Sequence, residues 1–156
     1  RNSEYALLCL GHIFETGLTG VPDMDTARSC YQRAAAQGRG PANFELGRFF
    51  ETQGAIAEAQ AAYRAGAEQG HVPSMSKLGT AMIKGDHASS ETAEGKDWLE
   101  KAAAQGDIWA QRELLAIVDD NSRSLSEKLS VKMKIAKLAL KGARELAKNP
   151  KSDKVR

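Results

Sequence analysis

Small and apolar residues recur along the chain at steps of three and four, with charged residues between them. Ala6, Leu7, Leu10, Gly11, Ile13 and Phe14 share one side of a helix. The segment Gly17 to Asp23 interrupts it with two glycines and Pro22. The pattern then resumes, predicting a helix from about Asp23 to Gln37 with Ala27, Cys30, Tyr31, Ala34 and Ala35 on one side, stopped by Gly38. A second pair follows with a shorter turn. Its first helix runs from about Pro41 to Thr52 with Leu46, Gly47 and Phe50 inward. After Gly54 its second helix runs from Ala55 to Gln69, with Ala59, Ala62, Tyr63 and Ala67 inward. A third pair starts at Pro73 to Lys84, turns through residues 85–90 and continues with Trp98, Leu99, Ala102 and Ala103. Ala110 and Leu114 keep the register in a fourth, degenerate pair, and Asp119 to Ser122 reads as its turn. A long helix from about Ser126 to Lys148 closes the series at Asn149-Pro150, followed by a frayed basic tail at 151–156.

The pairs share a phrase. Ala-rich stretches ending in Gln-Gly occur at Gln37-Gly38, Gln69-Gly70 and Gln105-Gly106, and Leu-Gly pairs at Leu10-Gly11, Leu46-Gly47 and Leu78-Gly79. Their spacings of 32 and 36 residues mark a helical repeat array. A glycine inside a helix costs about 1 kcal/mol against alanine. One such loss per repeat calls for a repeated compensation. The expectation is close backbone approach, with Gly11 meeting the small residues of its own second helix. Burial of the adjoining Leu or Phe returns about 1.5–3 kcal/mol.

Composition adds two points. Aromatic residues are only 6% of the 156, so the core must come mainly from Leu, Ile and Ala. The net charge of +2 conceals a split. Residues 1–120 hold 11 Lys and Arg against 17 Asp and Glu, a net of −6, while residues 121–156 hold 11 against 3, a net of +8. An acidic body with a basic end is expected. No apolar run approaches the roughly 18 residues that span a bilayer. Cys9 and Cys30 fall on the two helices of one hairpin; a bridge is open to them, and buried free thiols are the plainer reading. The chain starts at Arg1, already inside a repeat, and reads as a piece of a longer protein.

These residues resemble the Sel1-like repeat family, relatives of the tetratricopeptide repeats. The first repeat carries the resemblance through Ala6, Leu10, Gly11, Phe14, Gly17, Gly20, Val21, Pro22, Asp25, Ala27, Tyr31, Ala34, Ala35, Gln37 and Gly38. The third carries it through Leu78, Gly79, Gly85, Trp98, Leu99, Lys101, Ala102, Ala103, Gln105 and Gly106. The second lacks the turn insertion and looks more like a plain tetratricopeptide unit. The resemblance covers roughly residues 4–118. It implies a right-handed all-α solenoid of helix–turn–helix repeats, with a concave face lined by the first helix of each pair. It also implies a scaffold or adaptor that gathers other proteins, most often in bacteria and sometimes in organelles, without catalysis or cofactor. By that resemblance the concave positions are Leu8, His12 and Glu15, then Phe44, Arg48 and Glu51, then Ser76, Thr80 and Ile83. Phe44 beside Arg48 is the best anchor, since aromatics and Arg dominate interface energetics. The competing role for Phe44 is packing on a neighbouring helix, and for His12 that of an ordinary surface histidine.

Other chemistry reads as structural. Ser74-Met75-Ser76-Lys77 is a literal S-x-x-K. No Ser-Asp-Asn or Lys-Thr-Gly element accompanies it, and Ser74 holds the small-residue position of Ala6, Ala42 and Ala110. His71 and His87 have no ligand partners at metal spacing. No metal or cofactor is expected.

The last helix carries two apolar stripes. One is Leu125, Leu129, Met133, Ala136, Leu140 and Ala143; the other is Val131, Ile135, Leu138 and Leu146. Lys134, Lys137, Lys141, Arg144 and Lys148 gather on the remaining face. Such an arc exceeds what a capping helix needs. Either preceding helices bury both stripes, or a partner buries one. Homodimerisation through Val131, Ile135, Leu138 and Leu146 is the next reading. Binding of a membrane surface or nucleic acid by the basic face ranks third, and no aromatics interleave with the lysines to stack bases. The expected organisation is helical repeats over residues 1–120, a capping helix over 121–150 and a tail over 151–156. The expected function is a non-enzymatic scaffold that binds a protein or peptide.

Overall fold

The hydroxyl of Ser3 starts the first helix by accepting from the backbone N–H of Ala6 at 3.2 Å. Helix α1 then runs Glu4–Thr16 and stops at Gly17, whose φ of +66° is open mainly to glycine. Asp23 caps the next helix twice over, accepting from the Thr26 N–H at 3.0 Å and its hydroxyl at 2.6 Å. These bonds, the hydroxyl's first, hold the Asp23 carboxyl below its ordinary range. The computed structural model describes residues 3–18, 20–85, 89–120 and 124–148, less the side chains of residues 89, 90, 118–120, 145, 146 and 148.

The order is α1, α2 (Met24–Ala35), α3 (Gly40–Thr52), α4 (Ile56–Glu68), α5 (Val72–Lys84), α6 (Ser89–Ala104), α7 (Ile108–Asp120) and α8 (Leu125–Lys148). Every described regular element is a helix. The pairing expected from periodicity holds for α1 with α2 and for α3 with α4, and α2 packs in turn on α3. Helix α7 runs through Asp119 and Asp120, where a turn was expected, so the break falls later. The expected turn residues 86–88 and 121–122, the stop at Asn149-Pro150 and the tail at 151–156 lie outside the described residues.

The chain divides into two compact units, Arg1–Ser74 and Met75–Arg156, and the division falls inside α5. The core of the first is Leu7, Ala27, Cys30, Tyr31, Ala34, Ala42, Phe49, Ala59, Ala62, Tyr63 and Ala67. Phe49 is completely buried, whereas Phe50, the expected inward residue, is half-buried. Leu10 and Ala6, expected on the apolar side of α1, are exposed. Cys9 and Cys30 are free thiols, the first exposed and the second buried.

The helix glycines do two different things. A methyl group on Gly11 would lie 2.8 Å from the Tyr31 ring, and one on Gly47 would lie 2.6 Å from the Tyr63 ring. These glycines therefore seat an aromatic ring from the paired helix, not its small residues as expected. Gly79 is the close-approach case. A methyl there would lie 2.6 Å from the Gly95 carbonyl oxygen, and one on Gly95 would lie 2.9 Å from that of Gly79.

In the second unit, Met75, Leu78, Met82, Leu99, Ala102, Ala103, Ala110, Leu114 and Ile135 are buried. Helix α8 packs on both α6 and α7. Gly142 makes that possible, since a methyl there would lie 2.5 Å from the backbone nitrogen of Gly106. Preceding helices bury one stripe of α8 and not both. Ile135 is 5% exposed, with Val131 and Leu138 half-buried beside it, and the Leu146 side chain is outside the described set. The stripe of Leu125, Leu129, Met133 and Leu140 faces outward.

Candidate partner-binding face

In the first unit, a glycine and a glutamate four residues later recur on the first helix of each hairpin: Gly11 with Glu15, and Gly47 with Glu51. Four residues advance about 6 Å along a helix and return to the same face. A tyrosine ring laid over the glycine thus brings its hydroxyl to the carboxylate. Tyr31 donates to Glu15 Oε2 at 2.7 Å, and Tyr63 donates to Glu51 Oε2 at 2.7 Å. Burial first, then the adjacent carboxylate, pushes both phenols well above their ordinary range.

Arg48 ties this arrangement together. Its Nη2 donates to Glu15 Oε2 at 3.0 Å, joining α3 to α1, and its Nε donates to Glu45 Oε2 at 2.9 Å. Burial works to lower the guanidinium's pKa. The bonds to Glu45 and Glu15 outweigh it and raise the pKa further, so the group is always charged. Glu15 is only 13% exposed and Arg48 35%. Phe44, half-buried on the same helix, meets the Tyr63 ring at 5.8 Å and the His71 ring edge-on at 5.4 Å.

Six of the expected positions thus lie in the first unit. Phe44 packs on its neighbours while keeping part of its surface open, and Glu15, Arg48 and Glu51 are held in hydrogen bonds. His12 is exposed, with Nδ1 3.9 Å from Glu15, and Leu8 is half-buried. In the second unit Thr80 and Ile83 are half-buried on α5, while Ser76 is buried and donates to Asp107 Oδ2. Tyr31, Tyr63, Glu45 and His71 also belong to the first-unit cluster, although the sequence marked none of them as a site residue. The Gly-x-x-x-Glu spacing, matched by a tyrosine on each partner helix, is the signal that points to two of them.

Ser74 is fully buried, its hydroxyl 2.9 Å from His71 Nδ1 and against Gly66. No nucleophile is presented to solvent there. Among the described residues no three His, Cys, Asp or Glu side chains group as a metal site requires. No described helix is long and apolar enough to cross a membrane.

Burial lowers the His71 pKa from its ordinary value of 6.5, against a smaller opposing pull from Glu45. The folded pKa is depressed, so the unfolded chain takes up the proton first as pH falls. The neutral imidazole contributes stability above pH 6.5 that is lost as pH falls through the folded value. Thermal unfolding of the first unit should therefore shift downward between about pH 7 and 5. His71→Gln should flatten that dependence, and an unchanged slope in the variant would remove His71 as its source.

The Sel1 repeat family matches residues 5–38 and 72–107. The intervening α3–α4 hairpin, with its short turn, is not matched. A crystal structure of a protective antigen present in uropathogenic Escherichia coli strains, displaying an SLR fold, is 26% identical. It covers 88% of this chain at a TM-score of 0.69. A Sel1 repeat protein from Oxalobacter formigenes is 24% identical over 90% of this chain, with a TM-score of 0.70, and shows the fold alone. The chain spans 30% and 59% of the lengths of these two proteins. No curated protein matches. Proteins built of Sel1 repeats are generally protein–protein interaction scaffolds that bind other proteins, and are typically non-catalytic. With its paired helices, its Leu-Gly and Gln-Gly phrases and these two structural neighbours, the chain has the all-α fold of the Sel1-repeat solenoids and carries Sel1 repeats at residues 5–38 and 72–107.

Proposed function

We propose that the chain is a non-enzymatic interaction module whose first unit binds a protein or peptide through His12, Glu15, Phe44, Arg48 and Glu51. The observation that carries this reading is Arg48. Its guanidinium is fixed by Glu15 and Glu45 at 3.0 and 2.9 Å beside the partly open ring of Phe44. A side chain already held in place loses little rotamer freedom on binding, which favours affinity. Three carboxylates, Glu15, Glu45 and Glu51, accompany that one guanidinium, so the face is net negative and suits a basic partner segment. Thr80 and Ile83 hold the corresponding register positions in the second unit, and we propose them as contacts of that unit by itself.

Photo-crosslinking from position 12, which is exposed, tests it in the cell of origin. Phe44→Ala and Arg48→Ala should each lower the crosslinked yield about tenfold, the loss expected of a hot-spot side chain. Arg48→Lys keeps the charge, loses the fork and should fall between. Helical circular dichroism monitors folding in each variant. A yield indifferent to all three, in chains that remain folded, would reject this face.

A further inference from the structure

The outward stripe of α8 follows a different rule from the buried one. Leu129, Met133, Ala136, Leu140, Ala143 and Ala147 succeed one another at steps of 4, 3, 4, 3 and 4. That is the d and a seam of a heptad, sustained over most of a 24-residue helix. All six positions are exposed, with Leu129 at 61%, Met133 at 54% and Leu140 at 61%. The charged residues beside the seam are all basic. Lys137 and Arg144 hold successive e positions and Lys132 a g position, with no acid at either. At the start of the helix a groove of about 440 Å³ is lined by Ser126, Leu129, Ser130, Met133, Lys134 and Lys137.

We propose that this seam docks an acidic amphipathic helix of a partner protein, one with apolar a and d positions and Glu or Asp at e and g. The charge pattern selects the occupant. In a parallel pair of identical α8 helices, Lys132 of one copy would face Lys137 of the other across the g–e contact. In an antiparallel pair, Lys137 and Arg144 would face each other across e–e contacts. Like charges oppose in both, and an acidic helix converts each pair to attraction. The seam is also narrow and contains three alanines. That suits close approach of one helix better than insertion into lipid, where a wider face carrying Trp or Phe is usual. The proposal does not depend on the Arg48 face.

The test uses two labelled synthetic peptides about four heptads long with Leu at every a and d. One carries Glu at e and g, the other Lys. Fluorescence anisotropy with the whole chain should show the Glu peptide binding at least about tenfold tighter than the Lys peptide, and weakening as salt rises. Leu129→Gln with Leu140→Gln, both at exposed positions, should lower that affinity about tenfold or more. Lys137→Glu with Arg144→Glu should reverse the preference between peptides. Failure of the Glu peptide to bind, equal binding of both peptides, or binding untouched by the two Gln substitutions would overturn the proposal. So would a concentration-dependent dimer that the Gln substitutions abolish. Sedimentation with phosphatidylserine vesicles through the same leucines, without peptide binding, would instead assign the stripe to a membrane.

Discussion

Gly79→Ala should destabilise the second unit by about 1–2 kcal/mol, enough to lower its Tm by about 5–10 °C. The new methyl would lie 2.6 Å from the Gly95 carbonyl oxygen and 2.8 Å from Leu99 Cγ. The first neighbour is backbone in the middle of α6 and the second is completely buried, so neither can step aside. Overpacking of this kind costs about 1–3 kcal/mol or more, and the better helix propensity of alanine returns about 1. Gly47→Ala supplies the comparison. The three atoms nearest its methyl would all belong to the Tyr63 ring, the closest at 2.6 Å. That ring can tilt if it gives up some of its bond to Glu51, so the loss should be smaller. The ordering, Gly79 worse than Gly47, is the result to seek by denaturant unfolding. A Gly79→Ala variant as stable as the parent would mean that α5 and α6 do not meet backbone to backbone.

Much of the helix register was legible because each hairpin repeats it. A periodic pattern with glycine stops carries its own confirmation when it recurs every 32 or 36 residues. What the helix glycines face was less legible. The small-residue rule holds at Gly79, which meets Gly95, but Gly11 and Gly47 face tyrosine rings. The sequence placed those tyrosines on the correct side of their helices without saying where along the neighbouring helix each ring would lie. Glu15 and Glu51 show the same gap. Their register marks them as facing a groove, yet each also holds a tyrosine hydroxyl, which only the paired helix reveals. Leu10 illustrates the reverse. Its pattern is that of a core residue, and it stands exposed on α1.

The two stripes of α8 were visible, but the choice between them was missed, although a signal existed. Gly142 lies on the helical face of Val131, Ile135 and Leu138, and a mid-helix glycine marks the side on which another backbone comes close. In the structure that backbone is the α6–α7 turn at Gly106.

Phe49→Ala should be the most damaging side-chain truncation in the first unit, costing about 3–5 kcal/mol. The ring has no exposed surface. It lies 5.4 Å from the Tyr31 ring and 5.9 Å from that of Phe50, in a cluster with Ala27 that Leu8, Phe14, Met24 and Leu46 complete. These neighbours come from α1, α2 and α3, so one truncation opens a void shared by three helices, which cannot all close on it. Periodicity alone could not single Phe49 out, because Phe49 and Phe50 are adjacent and each fits one edge of the apolar arc. Their burial separates them: Phe50 is half-buried, and Phe50→Ala should cost clearly less. A folded unit commonly holds about 5–15 kcal/mol in all, so losing Phe49 removes much of the margin. The functional consequence follows from the same helix. Arg48 reaches Glu15 from α3 across to α1, and Phe49 is the residue that packs α3 in place. Urea unfolding followed by far-UV circular dichroism should show a large fall in midpoint for Phe49→Ala and a modest one for Phe50→Ala. Equal shifts would mean that the ring at position 49 does not join the two hairpins, and the clasp on Arg48 would then need another support.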